Sequence, residues 1–325
     1  MRILAASLTA SLTAMNAAAF DLQGHRGARG LAPENTLPAF AAAVSLGVGT
    51  LELDVGVTRD GVVVVAHDRR LNPDITRDGD GRWLTPPAPT VRSLSYAEIR
   101  RYDVGRIRPG IEYAKRYPEQ RPVDGTRMPR LQDLFSLVKK ANNSVVRFNI
   151  ETKLSPLAPD EAPDPESFAA ALLGVVRAAG MARRVTVQSF DWRSLLAARR
   201  TSPEVETSCL TAQQPWMNNI LADKSEGSPW VAGFQFARHG SVPRMVKAAG
   251  CGTWSPFFGE IDRASVAEAQ ALGLKVLPWT INERADMRRM LDLGVDGMIT
   301  DRPDIGREIL KERGLPLPDP TPVQP

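Results

Sequence analysis

Gly24-His25-Arg26-Gly27 sets an imidazole and a guanidinium side by side at the end of a short apolar run. Leu51-Glu52-Leu53-Asp54-Val55 follows, and strand alternation turns Glu52 and Asp54 to one face. Two like carboxylates side by side repel, and burying them without a partner is costly, so a metal ion would resolve the conflict. Thr58-Arg59-Asp60-Gly61 marks a tight turn, from which Val62 to Ala66 runs back toward His67-Asp68. If the pair is a hairpin, His67 returns to the neighbourhood of Glu52 and Asp54. Asn149-Ile150-Glu151-Thr152-Lys153 adds a third carboxylate and a cation on one face. Three carboxylates suit one hard cation such as Ca²⁺ or Mg²⁺ better than zinc, which favours His and Cys. With Arg26 and Lys153 such an ion makes a site for a phosphoryl oxyanion, and His25 and His67 could divide general-base and general-acid duty. The chemistry these residues point to is cleavage of a phosphodiester. No GxxxxGK[ST] loop occurs, which argues against a P-loop nucleotide enzyme.

The elements that must position these groups follow a βα rhythm from Asp21 onward. Strands are expected at Asp21 to His25, Thr50 to Val57, Val145 to Thr152, Val185 to Phe190, Val205 to Leu210, Val231 to Phe236, Lys275 to Thr280 and Gly297 to Thr300. An apolar piece at Gly252 to Ser255 could replace or extend the sixth. Helices are expected at Pro38 to Leu46, Leu131 to Lys140, Pro165 to Ala179, Arg193 to Arg200, Val242 to Ala249, Arg263 to Leu272 and Arg284 to Leu293. Several end at a glycine suited to a C-cap. Eight strands in this rhythm predict a TIM (β/α)₈ barrel, whose active site lies at the C-terminal strand ends, with a doubly wound sheet as the alternative.

Two segments break the rhythm. Arg69 to Arg130 carries 14 Arg and Lys against 8 Asp and Glu, with all four tyrosines: Tyr96, Tyr102, Tyr113 and Tyr117. It reads as an insertion after the second strand and its hairpin, either a solvated basic face or a cover over the anionic site. Leu315 to Pro325 is studded with proline and predicts an extended, unpacked, flexible tail. Without both segments the remainder is near the ~250 residues typical of a barrel.

Of the 325 residues, 1–19 read as a secretory signal, with Arg2, an apolar stretch and small residues at Ala17 to Ala19, which predicts an exported, periplasmic or secreted protein. A 43% hydrophobic content can bury a sizeable core, leaving residues 20–314 as one barrel domain. Beyond the signal no run approaches the ~20 apolar residues of a membrane span, so stable membrane insertion is not expected. A formal charge of +4 is too weak to argue for nucleic-acid binding. Export permits a bridge between Cys209 and Cys251, but lone cysteines in strand-like runs are more often buried thiols, and two thiols are the expectation.

The run His25-Arg26-Gly27, Pro33-Glu34-Asn35-Thr36, Glu52-Leu53-Asp54-Val55, Thr58-Arg59-Asp60-Gly61 and His67-Asp68 resembles the opening of a glycerophosphodiester phosphodiesterase. The likeness continues in order through Asn149-Ile150-Glu151-Thr152-Lys153, Gln188-Ser189-Phe190-Asp191, Trp279-Thr280-Ile281-Asn282 and Thr300-Asp301-Arg302-Pro303. The resemblance implies a TIM barrel with a small insertion, and a metal on Glu52, Asp54 and Glu151. It also implies a catalytic pair in His25 and His67, with Arg26 and Lys153 on the phosphate. The substrates would be small glycerophosphodiesters, cleaved to sn-glycerol 3-phosphate and an alcohol. Thr152 stands where a β-branched apolar residue is common, and the insertion diverges after Trp83. Export favours Ca²⁺ over Mg²⁺ as the ion.

Several residues carry a plainer reading. Trp279, at a strand end, is expected to wall the substrate. Asn35 or Thr36 is expected to cap a helix, Asp301 and Arg302 to form a surface ion pair, and His239 to lie in a loop. Two other functions fit less well. A phospholipase D-like or phosphoinositide-specific lipase would need an apolar membrane-facing loop, whereas the insertion is basic and aromatic. A non-catalytic periplasmic phosphodiester-binding protein would not need two histidines beside three carboxylates.

Overall fold

The computed structural model describes residues 19–325 other than Ser225, so the expected signal, save Ala19, lies outside the described residues. Eleven strands are described: β1 (Asp21–Gly24), β2 (Thr50–Val57), β3 (Val63–Val65), β4 (Arg147–Thr152), β5 (Val185–Ser189), β6 (Glu206–Thr211), β7 (Gln213–Gln214), β8 (Met217–Asn218), β9 (Thr253–Pro256), β10 (Lys275–Val276) and β11 (Gly297–Thr300). Eight of them run parallel in the order β10-β9-β6-β5-β4-β2-β1-β11, with β3 antiparallel on β2. The two end staves approach each other through Asp296 N to Val276 O at 3.1 Å, Ile299 N to Pro278 O at 3.0 Å and Ile281 N to Ile299 O at 3.0 Å. The result is a nearly closed TIM barrel, as expected, and not an open doubly wound sheet.

Helices α1 (Leu37–Leu46), α2 (Tyr96–Ile99), α3 (Glu112–Lys115), α4 (Leu131–Lys140), α5 (Pro165–Ala178), α6 (Trp192–Thr201), α7 (Phe236–His239), α8 (Val242–Ala249), α9 (Arg263–Ala271), α10 (Arg284–Leu293) and α11 (Pro303–Glu312) complete the description. Eight of them alternate with the barrel strands; α2, α3 and α7 are single turns. Local chemistry explains their ends. Thr36 caps α1 by accepting from Ala39 N, and Gly47, at φ 86°, closes it in the left-handed region. On α4, Leu131, Leu134, Phe135, Leu137 and Val138 recur at helical spacing and bury one face, with Phe135 edge-on to Phe148 of β4 at 4.9 Å.

Alternation along the strands divides the molecule in two. Leu51, Leu53, Val55, Phe148, Ile150 and Val187 point outward into the main core beneath the helices. Gln23, Glu52, Asp54, Asn149, Glu151 and Gln188 are also buried, but they fill the barrel interior. An apolar shell thus surrounds a polar centre that opens at the C-terminal strand ends.

Four expectations need correction. Val231 to Phe236 is not a strand: Ala232 and Gly233 take φ of 52° and 87°, which breaks extension, and the segment turns into α7, on which His239 lies. The sixth stave is instead β9, the alternative noted at Gly252 to Ser255. Cys209 and Cys251 are bridged, with Cα atoms 5.9 Å apart, because β6 and the turn before β9 bring them together. The tail is extended but not unpacked: Leu315, Leu317 and Val323 pack on the main core, and Thr321 N donates to Val44 O at 3.1 Å.

The fourth concerns the insertion, read above as basic face or cover. Leu71, Ala88, Val91, Ile99, Val104 and Met128 form a second small core with Val64 of β3 and Ala66, and Tyr96 and Tyr102 pack against it. The other two tyrosines lie elsewhere, as described next.

Candidate active site

Register places the carboxylates. In the parallel pairing of β2 and β4, Asp54 lies opposite Glu151 and Glu52 opposite Asn149. One carboxylate oxygen from each of Glu52, Asp54 and Glu151 lies within 4.8 Å of the other two, and all three residues are buried. Glu52 accepts from Gln188 Nε2 at 2.6 Å and from the backbone N–H of Arg26 at 2.9 Å. Burial, with Asp54 beside it, holds the Glu52 carboxyl well above the usual carboxylate range. Burial also pushes Glu151 up to about 7, against the pull of Lys153, whose Nζ is 2.7 Å from Glu151 Oε1. For Asp54 burial is outweighed by His67, Lys153, Arg26 and a 2.9 Å bond from Asn35 Nδ2, so it stays ionised. An all-oxygen set in which two of three acids resist ionisation has the donor chemistry for a hard divalent cation, whose charge would reverse that resistance.

The hairpin forms as expected. Val55 pairs with Val65 and Val57 with Val63, and Ala66 N donates to Asp54 O at 2.9 Å, which delivers His67 beside Asp54. His67 Nδ1 is 2.9 Å from Asp68 Oδ1, and Asn72 Nδ2 holds the other Asp68 oxygen at 2.8 Å. Burial, with Arg26 and Lys153 nearby, lowers the His67 pKa despite these acids.

His25 lies past the end of β1, its Nδ1 2.6 Å from Asp301 Oδ1 and its Nε2 3.8 Å from Glu52 Oε2. Asp301 is 1% exposed and ionised, so it can only accept, which puts the His25 proton on Nδ1 and leaves Nε2 open to the cleft. Asp301 is itself clamped by Arg29, at 2.8 and 3.0 Å, and by Asn282 Nδ2 at 2.8 Å. Burial and Arg29 lower the His25 pKa to about 4, with Asp301 opposing, so the ring is neutral at pH 7. The surface-pair reading of Asp301 and Arg302 is therefore wrong. Arg302 faces outward to Asp304 and Glu119, while Asp301 orients His25 from inside.

Arg26 Nη1 pairs with Glu34 Oε1 at 2.5 Å and its Nε lies 3.4 Å from Asp54 Oδ2; that Nε makes no hydrogen bond. Thr36 is the helix cap, whereas Asn35, at φ 55°, turns inward to Asp54. Trp279 borders the cleft, its Nε1 donating to Ser255 O at 2.9 Å and its ring 5.3 Å from Phe190. His25, Arg26, Glu52, His67, Glu151, Lys153 and Trp279 thus line one cavity of about 790 Å³, with Asp54 directly beneath.

Sequence reasoning missed Asp301, Arg29, Gln188 and Glu34 as parts of this cluster. Asp301 carried the signal already used for His25, a charged residue at a strand end followed by a sharp turn. Gln188 is on an inward strand position in register with Glu151. Arg29 gave none and Glu34 only its place in the Pro33-Glu34-Asn35-Thr36 run, because irregular backbone after β1 brings both in.

A barrel of eight βα units with an acid cluster, two carboxylate-held imidazoles and two cations at its C-terminal rim defines a barrel enzyme. The chain belongs to the glycerophosphoryl diester phosphodiesterase family, whose model matches residues 25–305. Among curated proteins it is 27% identical to the glycerophosphodiester phosphodiesterase of Caldanaerobacter subterraneus subsp. tengcongensis, over 89% of this chain and 97% of that one. The glycerophosphodiester phosphodiesterase of Bacillus subtilis is 28% identical, over 88% of this chain and 85% of that one. A crystal structure from Silicibacter pomeroyi, provisionally assigned to the same family, superposes with a TM-score of 0.80 at 39% identity, covering 92% of this chain and 96% of that one. The fold is shared with an Oleispira antarctica phosphodiesterase solved with its product sn-glycerol 3-phosphate, at a TM-score of 0.63 and 21% identity, over 90% and 97% of the chains.

Proposed function

We propose that this protein hydrolyses glycerophosphodiesters to sn-glycerol 3-phosphate and an alcohol, with one divalent cation held by Glu52, Asp54 and Glu151. The observation that carries the reading is the cluster of three buried carboxylates sharing a cleft with two histidines and two cations. A bound divalent cation would supply Lewis-acid stabilisation of phosphoryl charge. Arg26 and Lys153 are cations already held in place, so neither must reorganise as negative charge grows on the phosphoryl oxygens. His25 and His67 each have Nδ1 against a carboxylate, which orients the ring and raises the basicity of Nε2 toward the cleft. One would take the proton from the attacking hydroxyl and the other would return one to the leaving alcohol. The attacking group is either water or the glycerol 2-hydroxyl, the latter giving a cyclic phosphate that is then hydrolysed. Trp279 offers an apolar wall to the substrate.

Ca²⁺ is the ion we favour over Mg²⁺, since irregular carboxylate cages suit it and it is available outside the cytoplasm. Export is supported by the leader-like residues 1–19 and by the Cys209–Cys251 bridge, which an oxidising compartment favours. The test is to incubate purified protein with glycerophosphocholine or glycerophosphoinositol, with and without chelator, and to detect glycerol 3-phosphate. Release that stops on chelation and returns at least as well with Ca²⁺ as with Mg²⁺ is expected. Full activity in excess chelator would remove the metal from the reading.

A further inference from the structure

Five basic side chains line the cleft: Arg26, Arg29, Arg69, Arg116 and Lys153. Four are committed to carboxylates, Arg26 to Glu34, Arg29 to Asp301, Arg69 to Glu161 and Lys153 to Glu151. Arg116 forms no ion pair among the described residues, and it is exposed.

The backbone beneath it is held firmly. Arg116 closes α3 in the insertion. Tyr113, three residues before it, donates its hydroxyl to Glu34 and accepts from Arg29 Nη1 at 3.3 Å. The Tyr117 ring lies 5.2 Å from Tyr113 and 4.8 Å from Arg29 Cζ. Gln120 Nε2 donates to Arg29 O at 2.7 Å, and Arg121 N to Leu31 O at 3.0 Å. A charge presented from an anchored turn loses less entropy on binding than one on a free loop.

Arg116 also borders a second cavity of about 860 Å³, which meets the cleft at Arg29, Arg116 and Thr280. Its other charged lining is Lys115, Arg284 and Arg302, against Glu119, Glu283 and Asp301, the last already clamped by Arg29. Arg284 and Arg302 already face acids, Glu308 for the first and Glu119 and Asp304 for the second. A basic residue without an ion-pair partner among the described residues, carried on an anchored turn between a phosphodiester site and an adjoining open cavity, is placed to meet a second anion.

We infer that Arg116 and the cavity behind it form a subsite for a second anionic group on the substrate, a phosphate monoester carried by the leaving alcohol. The inference rests on the hydrolase reading above and extends it to a substrate class. A phosphate monoester brings about −1.5 to −2 charges at pH 7 and acceptor oxygens that suit a guanidinium fork. Uncharged and cationic alcohols gain nothing there, so the signature is a ratio between two substrates and not an absolute rate.

Glycerophosphoinositol and glycerophosphoinositol 4-phosphate differ only in that group. With Ca²⁺ present, the wild-type kcat/KM is expected to favour the phosphorylated diester about tenfold, mainly through KM, the size of one charge-assisted hydrogen bond. The preference should shrink as salt is raised. Arg116→Gln should bring the ratio near one, and Arg116→Lys, which keeps a point charge, should retain part of it. No preference in the wild type, or one that Arg116→Gln leaves unchanged, overturns the subsite. The same comparison by calorimetric binding to His25→Ala does not depend on turnover. There, equal affinity for the two diesters overturns the subsite, while tighter binding of the phosphorylated one supports it even if the wild type hydrolyses neither. Absence of hydrolysis with glycerophosphocholine as well would overturn only the hydrolase reading.

Discussion

His25 and His67 share one device, a carboxylate on Nδ1 that leaves Nε2 facing the cleft, but the two carboxylates differ in setting. Asp301 is enclosed and clamped by Arg29 and Asn282, whereas Asp68 is a partly exposed neighbour in sequence. His25→Ala and His67→Ala should each lower kcat by about 10²-fold or more while calorimetric Ca²⁺ binding is retained, as for proton-transfer groups and not ligands. Loss of Ca²⁺ binding by a folded His67→Ala protein would make that residue a ligand. Asp301→Asn keeps the shape but removes the carboxylate that fixes the His25 proton on Nδ1, and should cost at least about 10²-fold in kcat. Asp301 also raises the His25 pKa, so its loss lowers that value further. The limb of the kcat/KM profile governed by His25 should therefore move to lower pH, a shift that a purely structural defect would not give.

Among the elements, the insertion divides its tyrosines between two tasks. Tyr96 and Tyr102 pack on its own small core, while Tyr113 reaches Glu34, the partner of Arg26. Tyr102→Ala should lower the melting temperature, by about 1–3 kcal/mol of stability, with kcat/KM nearly unchanged. Tyr113→Phe removes one hydroxyl and should show the reverse, a several-fold loss in kcat/KM with little change in melting. A melting loss without a rate loss for Tyr113→Phe would make that tyrosine structural too. The disulfide ties β6 to the approach of β9 across a sequence separation of 42. Closing a loop of that size removes entropy from the unfolded chain, so the double Cys209→Ala, Cys251→Ala variant should lose about 3–4 kcal/mol in denaturant unfolding.

At the scale of the whole molecule, the barrel concentrates unfavourable charge at its centre, where a bound cation would relieve it. Burial pushes Glu151 up to about 7 against an ordinary 4.5, and holds the Glu52 carboxyl well above its ordinary range. Protons that the unfolded chain has already released are therefore still bound in the folded one between those values. A cation must displace them, so cation binding weakens as pH falls. The rise in melting temperature produced by Ca²⁺ should be small at pH 5.5 and grow as pH increases through about 7, read by scanning calorimetry. A rise independent of pH over that range would place the cation at some other group.

The alternating pattern and the helix punctuation were enough to show the βα rhythm, seven of its helices and all but one of its strands, and the strand-end residues His25, Glu52, Asp54, Glu151 and Lys153 were legible because strand period and strand ends are local properties. The hairpin was legible for the same reason: a four-residue turn returns His67 to Asp54 over a short stretch of chain. What depended on distant parts of the chain meeting was not. Asp301 reaches His25 across 276 residues only when β11 closes beside β1. Val231 to Phe236 has strand composition, but the sheet took β9 as its neighbour for β6. Whether two cysteines bridge, whether a proline-rich tail finds a groove, and which tyrosines enter the site depend on where surfaces meet after folding. Local propensity and spacing write the elements and their ends, whereas long-range closure decides which polar groups share one buried volume and so acquire partners, altered pKa values and a role.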